Sequence, residues 1–504
     1  MKKSILKIVF LFLFSCFAKE NRVLVSSVPV EYREVSSASQ TEKRESFISR
    51  EELLEDLDSF IYFLKTAYIG YDDLVKNGFD ENNFKSYFEG LYKKQGQVDT
   101  YDLLKNLAVY LIPYPEDCHF TISGTANKEY EYLISNSKIY FSDIFIEKTE
   151  NAFVAFETGN SGIKKGSEYT GSLENAFYYP SKGKNIYRLG VLSKETLTKT
   201  AFSFNERSIE AAVSTDKEFP MQSFVKYHEI ETQNSAYASL SSFLQPEADS
   251  QFRKGADIVF EKFANLGIKW RTKNNIIIDL RSNIGGRMYY SRAFVYSFLS
   301  KKKHLDLLKE EKTIDSWYEN TLCSHLQLES PAYLQNVLQY IESKGLTGTS
   351  YYKNYQKQLT SQKKNPVVNI YKCEKLDSNR FSSDFNGNLI ILTDRNTASA
   401  SEELILFAKK ILKTANVTVI GENSYGCDTY VDDLVYLFPN SHLSVCLGAR
   451  KNTAISTLPE WHGEGKGIFP DYWTTSEDLN KTILLTTHDE EMFTKLQGIE
   501  NRLM

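Results

Sequence analysis

The chain of 504 residues is poor in cysteine, with 6 in all, and it carries no excess of positive charge. Six cysteines in a chain of this length are too few for a fold that disulfides hold together. Lys and Arg number 60 against 65 Asp and Glu, which gives a net charge of −5. Because nucleic-acid binding depends on a basic excess, the composition predicts no nucleic-acid partner.

Common metal-binding and nucleotide-binding motifs are also missing. The 7 histidines are scattered, and neither a His-x-x-x-His nor a Cys-x-x-Cys pair occurs, so we predict no metal ion. No phosphate-loop pattern occurs, and the Gly-rich stretch 463–467 precedes Ile-Phe-Pro-Asp rather than a helix. We therefore expect no cofactor. The 41% hydrophobic and 25% charged residues are typical of a globular protein, and the length predicts two or three domains.

The first residues have the pattern of an export signal. Three lysines accompany an apolar run at 8–14 that is too short to span a bilayer. The Leu-Phe-Ser-Cys sequence that ends at Cys16 resembles a bacterial lipobox, although Phe14 is bulkier than the usual residue. We predict an exported lipoprotein, anchored to a membrane through Cys16, in the periplasm or at the cell surface. Cleavage after Ala18, which would give a soluble secreted protein, stays open.

Composition shifts along the chain predict its organisation into domains. Apolar residues recur at helical spacing after Ser49, and short alternating runs separated by Gly and Asn follow further on. The predicted divisions are a signal peptide at 1–18, a flexible tether at 19–45, a helical domain at 46–122, a β-rich accessory unit at 123–232, an α/β domain at 233–480 with a helical insertion at 301–375, and a C-terminal helix or tail at 481–504.

The α/β domain contains a buried strand that opens into a pair of glycines. The segment 275–280 has a continuous apolar centre, and it leads through Asp279 and Asn283 into Gly285 and Gly286. Glycines at such a place let backbone amides approach a ligand closely. A tight turn fixed by the Asp279 and Asn283 side chains explains the same residues without a ligand.

A second buried strand leads directly into a helix. The strand is predicted at 388–393 and the helix at 401–412, so Ser399 lies near the turn between them. Such a turn exposes a hydroxyl beside the free amides of a helix N-terminus, as a nucleophile requires. However, Ser399 and Glu402 also fit a capping box, which needs no catalysis.

Four segments together resemble the C-terminal-processing (tail-specific) serine peptidase family, and its tricorn-core-like branch more than its Ser–Lys enzymes. They occur in the family's order. The matching segments are Ile-Asp-Leu-Arg-x-Asn-x-Gly-Gly at 278–286, Thr-Ala-Ser-Ala-Ser-Glu at 397–402, Ile-Gly-Glu-x-Ser-x-Gly at 420–426 and Glu-Gly-Lys-Gly-Ile-Phe-Pro-Asp at 464–471. The resemblance implies an α/β fold (α+β overall), with an N-terminal helical region, a small β-rich middle unit and a ClpP/crotonase-like catalytic domain.

The resemblance also implies roles for individual residues. Ser399 would be the nucleophile, and backbone amides would form an oxyanion hole for the developing negative charge. The residues so implied are Gly285, Gly286 and Ala400 for the oxyanion hole, and Asp279, Arg281 and Asn283 for support of the glycine turn.

The identity of the base separates the two branches of the family. The Ser–Lys enzymes carry a lysine where this chain has Cys427, so we do not expect a Ser–Lys dyad. The tricorn-like branch uses a histidine after its helical region, which corresponds to His119, and an orienting carboxylate, which corresponds to Glu464. His119 would take the Ser399 proton and return it to the leaving amine. His462 is the rival, because it lies near Glu464 in the sequence.

Two further hypotheses follow from the same resemblance. If the fold holds, Cys118 and Cys427 both lie near Ser399, close enough to form a disulfide in an oxidising compartment. The Gly-rich stretch 159–166 is weakly similar to a turn of the peptide-binding PDZ module, although a divergent β-rich unit explains the surrounding strands better.

The sequence therefore predicts an exported serine peptidase that hydrolyses peptide or protein substrates through an acyl-enzyme with a Ser-His-Glu site. The alternative is a catalytically inactive relative, which would act as a cell-surface lipoprotein that binds peptides or apolar ligands. A crotonase-like acyl-thioester enzyme is a third possibility, but no adenine-binding or phosphate-binding pattern supports it.

Overall fold

The computed structural model describes the larger part of the chain after residue 43. The predicted signal peptide and most of the predicted insertion lie outside the described residues. The described residues are 23–27, 31–35, 44–66, 68–124, 131–133, 138–179, 182–183, 185–193, 195–215, 227–244, 253–299, 320–323, 370–372, 385–412, 416–452, 455–474 and 479–503, with a few single positions between 342 and 360.

Helices are found near both ends of the described chain and between the strands of its second half. In chain order they are α1 Arg50–Thr66, α2 Tyr71–Lys76, α3 Glu81–Leu91, α4 Thr100–Leu111, α5 Arg253–Ala264, α6 Leu266–Trp270, α7 Met288–Tyr296, α8 Ala400–Ile411, α9 Leu479–Thr487 and α10 Glu490–Leu503.

The strands run through the whole described chain. In chain order they are β1 Val23–Ser27, β2 Glu31–Val35, β3 Phe47–Ser49, β4 Gln97–Asp99, β5 Thr121–Gly124, β6 Glu131–Leu133, β7 Lys138–Lys148, β8 Phe153–Glu157, β9 Ala176–Tyr178, β10 Ile186–Ser193, β11 Lys199–Phe204, β12 Arg207–Ala212, β13 Tyr227–Glu231, β14 Ser235–Leu240, β15 Asn275–Asp279, β16 Asn320–Cys323, β17 Ile370–Lys372, β18 Asn388–Thr393, β19 Asn416–Gly421, β20 Tyr430–Leu437, β21 Leu443–Asn452 and β22 Tyr472–Trp473.

The chain folds into two compact units, each built from separate stretches of sequence. The first unit contains Met1–Ser135, Glu310–Leu376 and Cys427–Thr457. The second unit contains the remaining stretches, which are Asn136–Lys309, Asp377–Gly426 and Leu458–Met504.

The first unit begins with helices whose ends and buried faces follow from the sequence. Ser49 and Glu52 form a reciprocal capping box at the start of α1, with bonds of 2.6 and 3.2 Å. Asp80 and Asp99 cap α3 and α4 by accepting backbone N–H groups of the first turn. Most of the apolar residues predicted to share one face of α1 are buried, among them Leu57, because a period of 3.6 residues places them on one side, and Leu54 is half-buried.

These helices pack on a sheet in the same unit. Its strand order is β17-β16-β21-β20-β1-β2, and β5 pairs with both β21 and β6. The ring of Phe63 on α1 stacks on Tyr436 of β20 at 4.8 Å, and Phe60 contacts Phe438 at 5.6 Å. Both β20 and β5 pair with β21, and their first residues lie opposite Lys451 and Cys446 of that strand.

The second unit contains a β-rich part and an α/β part. In the β-rich part, an antiparallel sheet has the order β8-β7-β10-β9, and β11 and β12 form a hairpin. Buried apolar side chains from these strands, including Ile144, Leu189 and Phe202, form a core of their own. The strands over 138–212 agree with the β-rich character that the sequence predicts there.

The α/β part is a sheet with the order β13-β14-β15-β18-β19-β22. The pairs β14–β15, β15–β18, β18–β19 and β19–β22 are all parallel. Every residue of β15 is buried, as its uninterrupted apolar centre predicts. In a parallel sheet the carboxyl ends of the strands share one edge, so the turns after β15, β18 and β19 lie side by side.

The predicted fold class, mixed α/β, is confirmed by these elements. Within the described residues, no helix is both long enough and apolar enough to cross a bilayer.

The buried carboxyl of Asp56 on α1 gives the first unit a predicted pH dependence. Its two oxygens accept the N–H groups of Asn440 and Ser441 at 2.9 Å each. Burial raises the pKa of Asp56 to about 6 in spite of these bonds, whereas an aspartate in an unfolded chain titrates near 3.9. Between these values the folded state binds more protons than the unfolded state, so stability falls as the pH rises.

We therefore expect the wild type to lose roughly 1–3 kcal/mol of unfolding free energy relative to Asp56→Asn as the pH rises from about 4 to about 6. The difference between the two proteins should then stay constant at higher pH. Urea unfolding of both proteins at closely spaced pH values measures it. A difference that does not vary with pH would contradict this account.

Candidate functional site

Ser399 occupies the turn between β18 and α8 in an unusual backbone conformation. Its φ is 53° and its ψ is −120°, outside the regions that residues with a side chain ordinarily adopt. It is the residue before the first turn of α8, and its side chain is half-buried. The hydroxyl therefore lies at the positive end of a helix dipole, as the sequence predicts.

Gly285 and Gly286 lie directly against this turn. A Cβ on Gly285 would come within 2.7 Å of Ser399 Cβ and 2.9 Å of the Ala400 nitrogen. Gly286 forms a parallel bridge with Phe243, whose backbone a Cβ on Gly286 would overlap. Both glycines have a positive φ, 90° and 130°. Only glycine fits these two positions without moving the backbone.

The amides of the glycine turn are not equivalent. The Gly285 N–H donates to Asn283 Oδ1 at 3.0 Å. Neither the Gly286 amide nor the Ala400 amide has an acceptor among the residues that the structure describes. Of the three amides predicted for an oxyanion hole, those of Gly286 and Ala400 are therefore available to donate a hydrogen bond.

Asn283 contacts the glycine turn directly, whereas Asp279 bonds to Arg281 two residues further on. Asn283 donates through its side chain to the Leu240 carbonyl at 2.8 Å, and its own carbonyl accepts the Ala398 N–H at 3.0 Å. Asp279 forms a bidentate ion pair with Arg281, in which Nε and Nη2 of the guanidinium donate to the two carboxylate oxygens at 2.9 and 2.6 Å. The second contact of Asn283 ties the glycine turn to the serine turn.

Asp394 makes a second tie between the two turns, although it was not predicted as a residue of the site. Its buried carboxylate accepts the Ser282 N–H at 2.9 Å and the Asn396 N–H at 2.9 Å. Burial raises the pKa of this carboxyl above its ordinary value, and the backbone donors oppose that change. Its position directly after a buried strand is the feature of the sequence that could have indicated its role.

Glu402 connects Ser399 to a third segment of the chain. One carboxylate oxygen accepts the Ser399 N–H at 2.9 Å, which is an arm of the predicted capping box. The other oxygen accepts the Ser424 hydroxyl at 2.5 Å and the Gly426 N–H at 2.7 Å. The Glu402 side chain is fully buried. Its role thus extends beyond the cap that the local pattern predicts.

Glu464 lies in a glycine-rich turn that packs around Gly426. The Gly465 N–H donates to the Gly426 carbonyl at 2.7 Å, and the Ser424 hydroxyl accepts the Ile468 N–H at 2.7 Å. The Glu464 side chain is half-buried. The two motifs around 420–426 and 464–471, which the sequence resemblance connects, are therefore in direct contact within the second unit.

His119 and Cys427 belong to the first unit, where they contact each other. Cys427 Sγ lies 3.3 Å from His119 Nδ1 and 3.4 Å from Nε2. Asp117 accepts the His119 backbone N–H at 2.7 Å, and its carboxylate lies 3.7 Å from Nδ1. The proposed disulfide between Cys118 and Cys427 is not formed, and both side chains are thiols. The Cys427 sulfur instead contacts both nitrogens of the His119 ring.

His462, the rival base, has other contacts, and so does Lys409 on the helix that follows Ser399. The ring of His462 stacks on Phe469 with a centroid distance of 3.9 Å, and partial burial lowers its pKa. Lys409 on α8 pairs with Asp471 at 3.0 Å.

Residues 234–472, a little under half of the chain, match the model of peptidase family S41. The segment therefore carries the sequence pattern of that peptidase family. It includes the turns of Gly285, Ser399 and Gly426 and the stretch that contains Glu464, but not His119.

Three of the solved structures that align with the chain are distant from it in sequence. The chain is 13% identical to mature CPAF complexed with lactacystin, over 90% of this chain and 98% of that chain, with a TM-score of 0.42. It is 14% identical to the photosystem II D1 C-terminal processing protease, over 85% of this chain and 94% of that chain, with a TM-score of 0.32. It is 11% identical to the tricorn protease, over 94% of this chain and 38% of that chain, with a TM-score of 0.35. TM-scores this low do not support conclusions about the function of this chain. No curated protein matches the chain.

The close packing of Gly285 on Ser399 makes a testable prediction about stability. Gly285→Ala places a methyl group 2.6 Å from the Ala398 carbonyl oxygen, at a φ of 90°. We expect it to lower the unfolding free energy by roughly 2 kcal/mol or more. Gly255→Ala on α5 is the matched control, since a Cβ there meets nothing within 4 Å. Urea unfolding should show an unchanged or slightly raised stability for the control. Equal effects of the two substitutions would contradict the packing argument.

Proposed function

We propose that the protein is a serine peptidase that hydrolyses peptide or protein substrates, with Ser399 as the nucleophile. The single observation that carries this proposal is the Ser399 turn. A half-buried hydroxyl in a strained conformation lies at a helix N-terminus, and a glycine pair packs against it. Backbone strain of this kind is concentrated at functional sites. The match of 234–472 to peptidase family S41 supports the same reaction class.

The proposed reaction uses the backbone donors around Ser399. The Ser399 oxygen attacks the peptide carbonyl, and the carbonyl oxygen becomes negatively charged. The amides of Gly286 and Ala400 are proposed to hold this charge, since they are available as donors and sit beside Ser399 in fixed positions. Gly285 has a supporting role, because its amide serves the turn itself.

His119 is proposed as the base and Glu464 as the carboxylate that orients it. This assignment rests on the sequence resemblance to the tricorn-like branch and on the presence of Cys427 where a lysine would be required. His119 would accept the Ser399 proton and deliver it to the leaving amine, and the acyl-enzyme would then react with water. Asp117, which holds the His119 backbone, would keep the imidazole in place.

Labelling with a fluorophosphonate probe tests the nucleophile. The wild type should be labelled and should cleave an unstructured protein substrate, whereas Ser399→Ala should do neither and remain folded. Ser401→Ala is the matched control, because Ser401 is buried two residues away and its hydroxyl has no partner among the described residues. We expect the control to be labelled like the wild type.

The base is tested in the same assay. We expect His119→Ala to slow labelling and hydrolysis by at least about a hundredfold, and His462→Ala to change them little. Loss of activity in His462→Ala alone would transfer the role of base to His462. A folded wild type that neither reacts with the probe nor cleaves any substrate would overturn the peptidase proposal in favour of the ligand-binding alternative.

We also propose that the protein is exported and anchored to a membrane through a lipid on Cys16. The support is the signal-like sequence alone. Mass spectrometry of the N-terminal peptide from the native host should find a lipid-modified Cys16, and Cys16→Ala should move the protein out of the membrane fraction. An unmodified N-terminus at Lys19 would establish the soluble secreted form instead.

A further inference from the structure

A buried ion pair joins the helices that follow the glycine turn and the serine turn. Arg292 lies on α7, which begins two residues after Gly286, and Glu403 lies in the first turn of α8. Nε and Nη2 of Arg292 both donate to Glu403 Oε1, at 2.9 and 2.5 Å. The Arg292 side chain is 5% exposed, and that of Glu403 is not exposed. Neither residue was predicted as part of the site.

The pair is connected to Ser399 through α8. The Glu403 N–H donates to the Ser399 carbonyl at 3.0 Å, so the residue that holds Arg292 is also bonded to the proposed nucleophile. Tyr296 on α7 contacts Phe407 on α8, with ring centroids 5.2 Å apart. These two rings lie four residues beyond Arg292 and Glu403, which is about one helical turn. The two helices are therefore in contact at two successive turns.

The pair lies close to both amides that are proposed for the oxyanion hole. The Gly286 amide precedes α7, and the Ala400 amide begins α8. At a rise of about 1.5 Å per residue, Glu403 is about 4.5 Å along the helix axis from Ala400, and Arg292 is about 6 Å from the start of α7. The bonds between the turns fix them where they touch. The ion pair joins the helices behind them, at residues that the sequence separates by 111 positions.

A buried ion pair of this kind affects geometry more than stability. The attraction between two buried charges roughly offsets the cost of removing them from water, so replacement of both by apolar residues is often neutral. Removal of one partner alone is costly, because the other charge stays buried without compensation. The planar guanidinium of Arg292 donates from two nitrogens, which restricts the direction of Glu403 as well as its distance. Apolar contacts do not restrict direction in this way.

We propose that Arg292 and Glu403 are positioning residues, which set the separation of the Gly286 and Ala400 amides. The inference rests on the proposed function, because the oxyanion hole is part of that proposal. The pair acts through α7 and α8 and not by contact with a substrate. A displacement of about 1 Å in a reacting geometry can slow a reaction by about a hundredfold. Since the two amides would bind a charge that develops only in the transition state, their displacement lowers kcat and leaves KM nearly unchanged.

Hydrogen exchange tests the positioning without any reliance on activity. The double variant Arg292→Met/Glu403→Leu leaves no buried charge alone, so its urea midpoint should stay close to that of the wild type. The Ala398 N–H donates to the Asn283 carbonyl and thereby ties the serine turn to the glycine turn. We expect this amide to exchange at least about tenfold faster in the double variant, while the buried strand β15 stays protected. Unchanged exchange at Ala398 would overturn the proposal.

Steady-state kinetics on a peptide substrate test the effect on the site. The double variant should have a kcat lower by at least about tenfold and a KM within about twofold of the wild type. Arg292→Lys keeps the charge on a similar stem, so we expect it to recover part of the lost kcat. Lys409→Met is the control, since it removes the ion pair with Asp471 near the other end of α8. We expect the control to have the kcat of the wild type.

The outcomes separate this proposal from the proposed function. A double variant with the kcat of the wild type would show that the pair does not set the oxyanion hole. A loss of kcat that the control shares, or that comes with an equal rise in KM, would likewise contradict the positioning role. If the wild type cleaves no substrate, the proposed function fails, while the exchange of the Ala398 amide still decides whether the pair positions the two turns.

Discussion

The buried carboxylate of Glu402 is the interaction on which the candidate site depends. A charged group without exposure to water is costly unless donors surround it, and Glu402 receives the Ser399 N–H, the Ser424 hydroxyl and the Gly426 N–H. The same bonds fix the first residue of the serine turn to the segment after β19. Through the Ser424 hydroxyl, which accepts the Ile468 N–H, the constraint reaches the turn that carries Glu464.

The conformation of Ser399 persists because the chain around it is fixed from several sides. A non-glycine residue in such a region of φ and ψ costs of order 1–3 kcal/mol. The Ala398 N–H is held by the Asn283 carbonyl, and Glu402 holds the Ser399 N–H itself. Because the neighbouring residues are anchored, the turn cannot relax without breaking buried hydrogen bonds. These bonds thereby keep Ser399 out of a regular helical conformation at the start of α8.

The sequence predicts those parts of the molecule that local patterns determine. The strand over 388–393 was predicted with its observed bounds, because its apolar residues are consecutive and a polar turn follows. The helix α2, Tyr71–Lys76, was not predicted, since only Leu74 of its six residues is buried and no apolar repeat exists. Glu402 was recognised as a cap because Ser399 is three residues away. Its bonds to Ser424 and Gly426 span more than twenty residues, and no local pattern reveals them.

The residue after Gly426 illustrates what a motif leaves open. The sequence has Cys427 at the position where the Ser–Lys enzymes that it resembles carry a lysine, which argues against one base without revealing what the thiol does instead. Its contact with His119 joins positions 308 residues apart in the sequence, so it is a property of the tertiary fold. An amine in a Ser–Lys dyad acts on the nucleophile directly. A thiol at the same point of the chain contacts His119, which is itself proposed as the base, so the side chain at position 427 determines the surroundings of the imidazole.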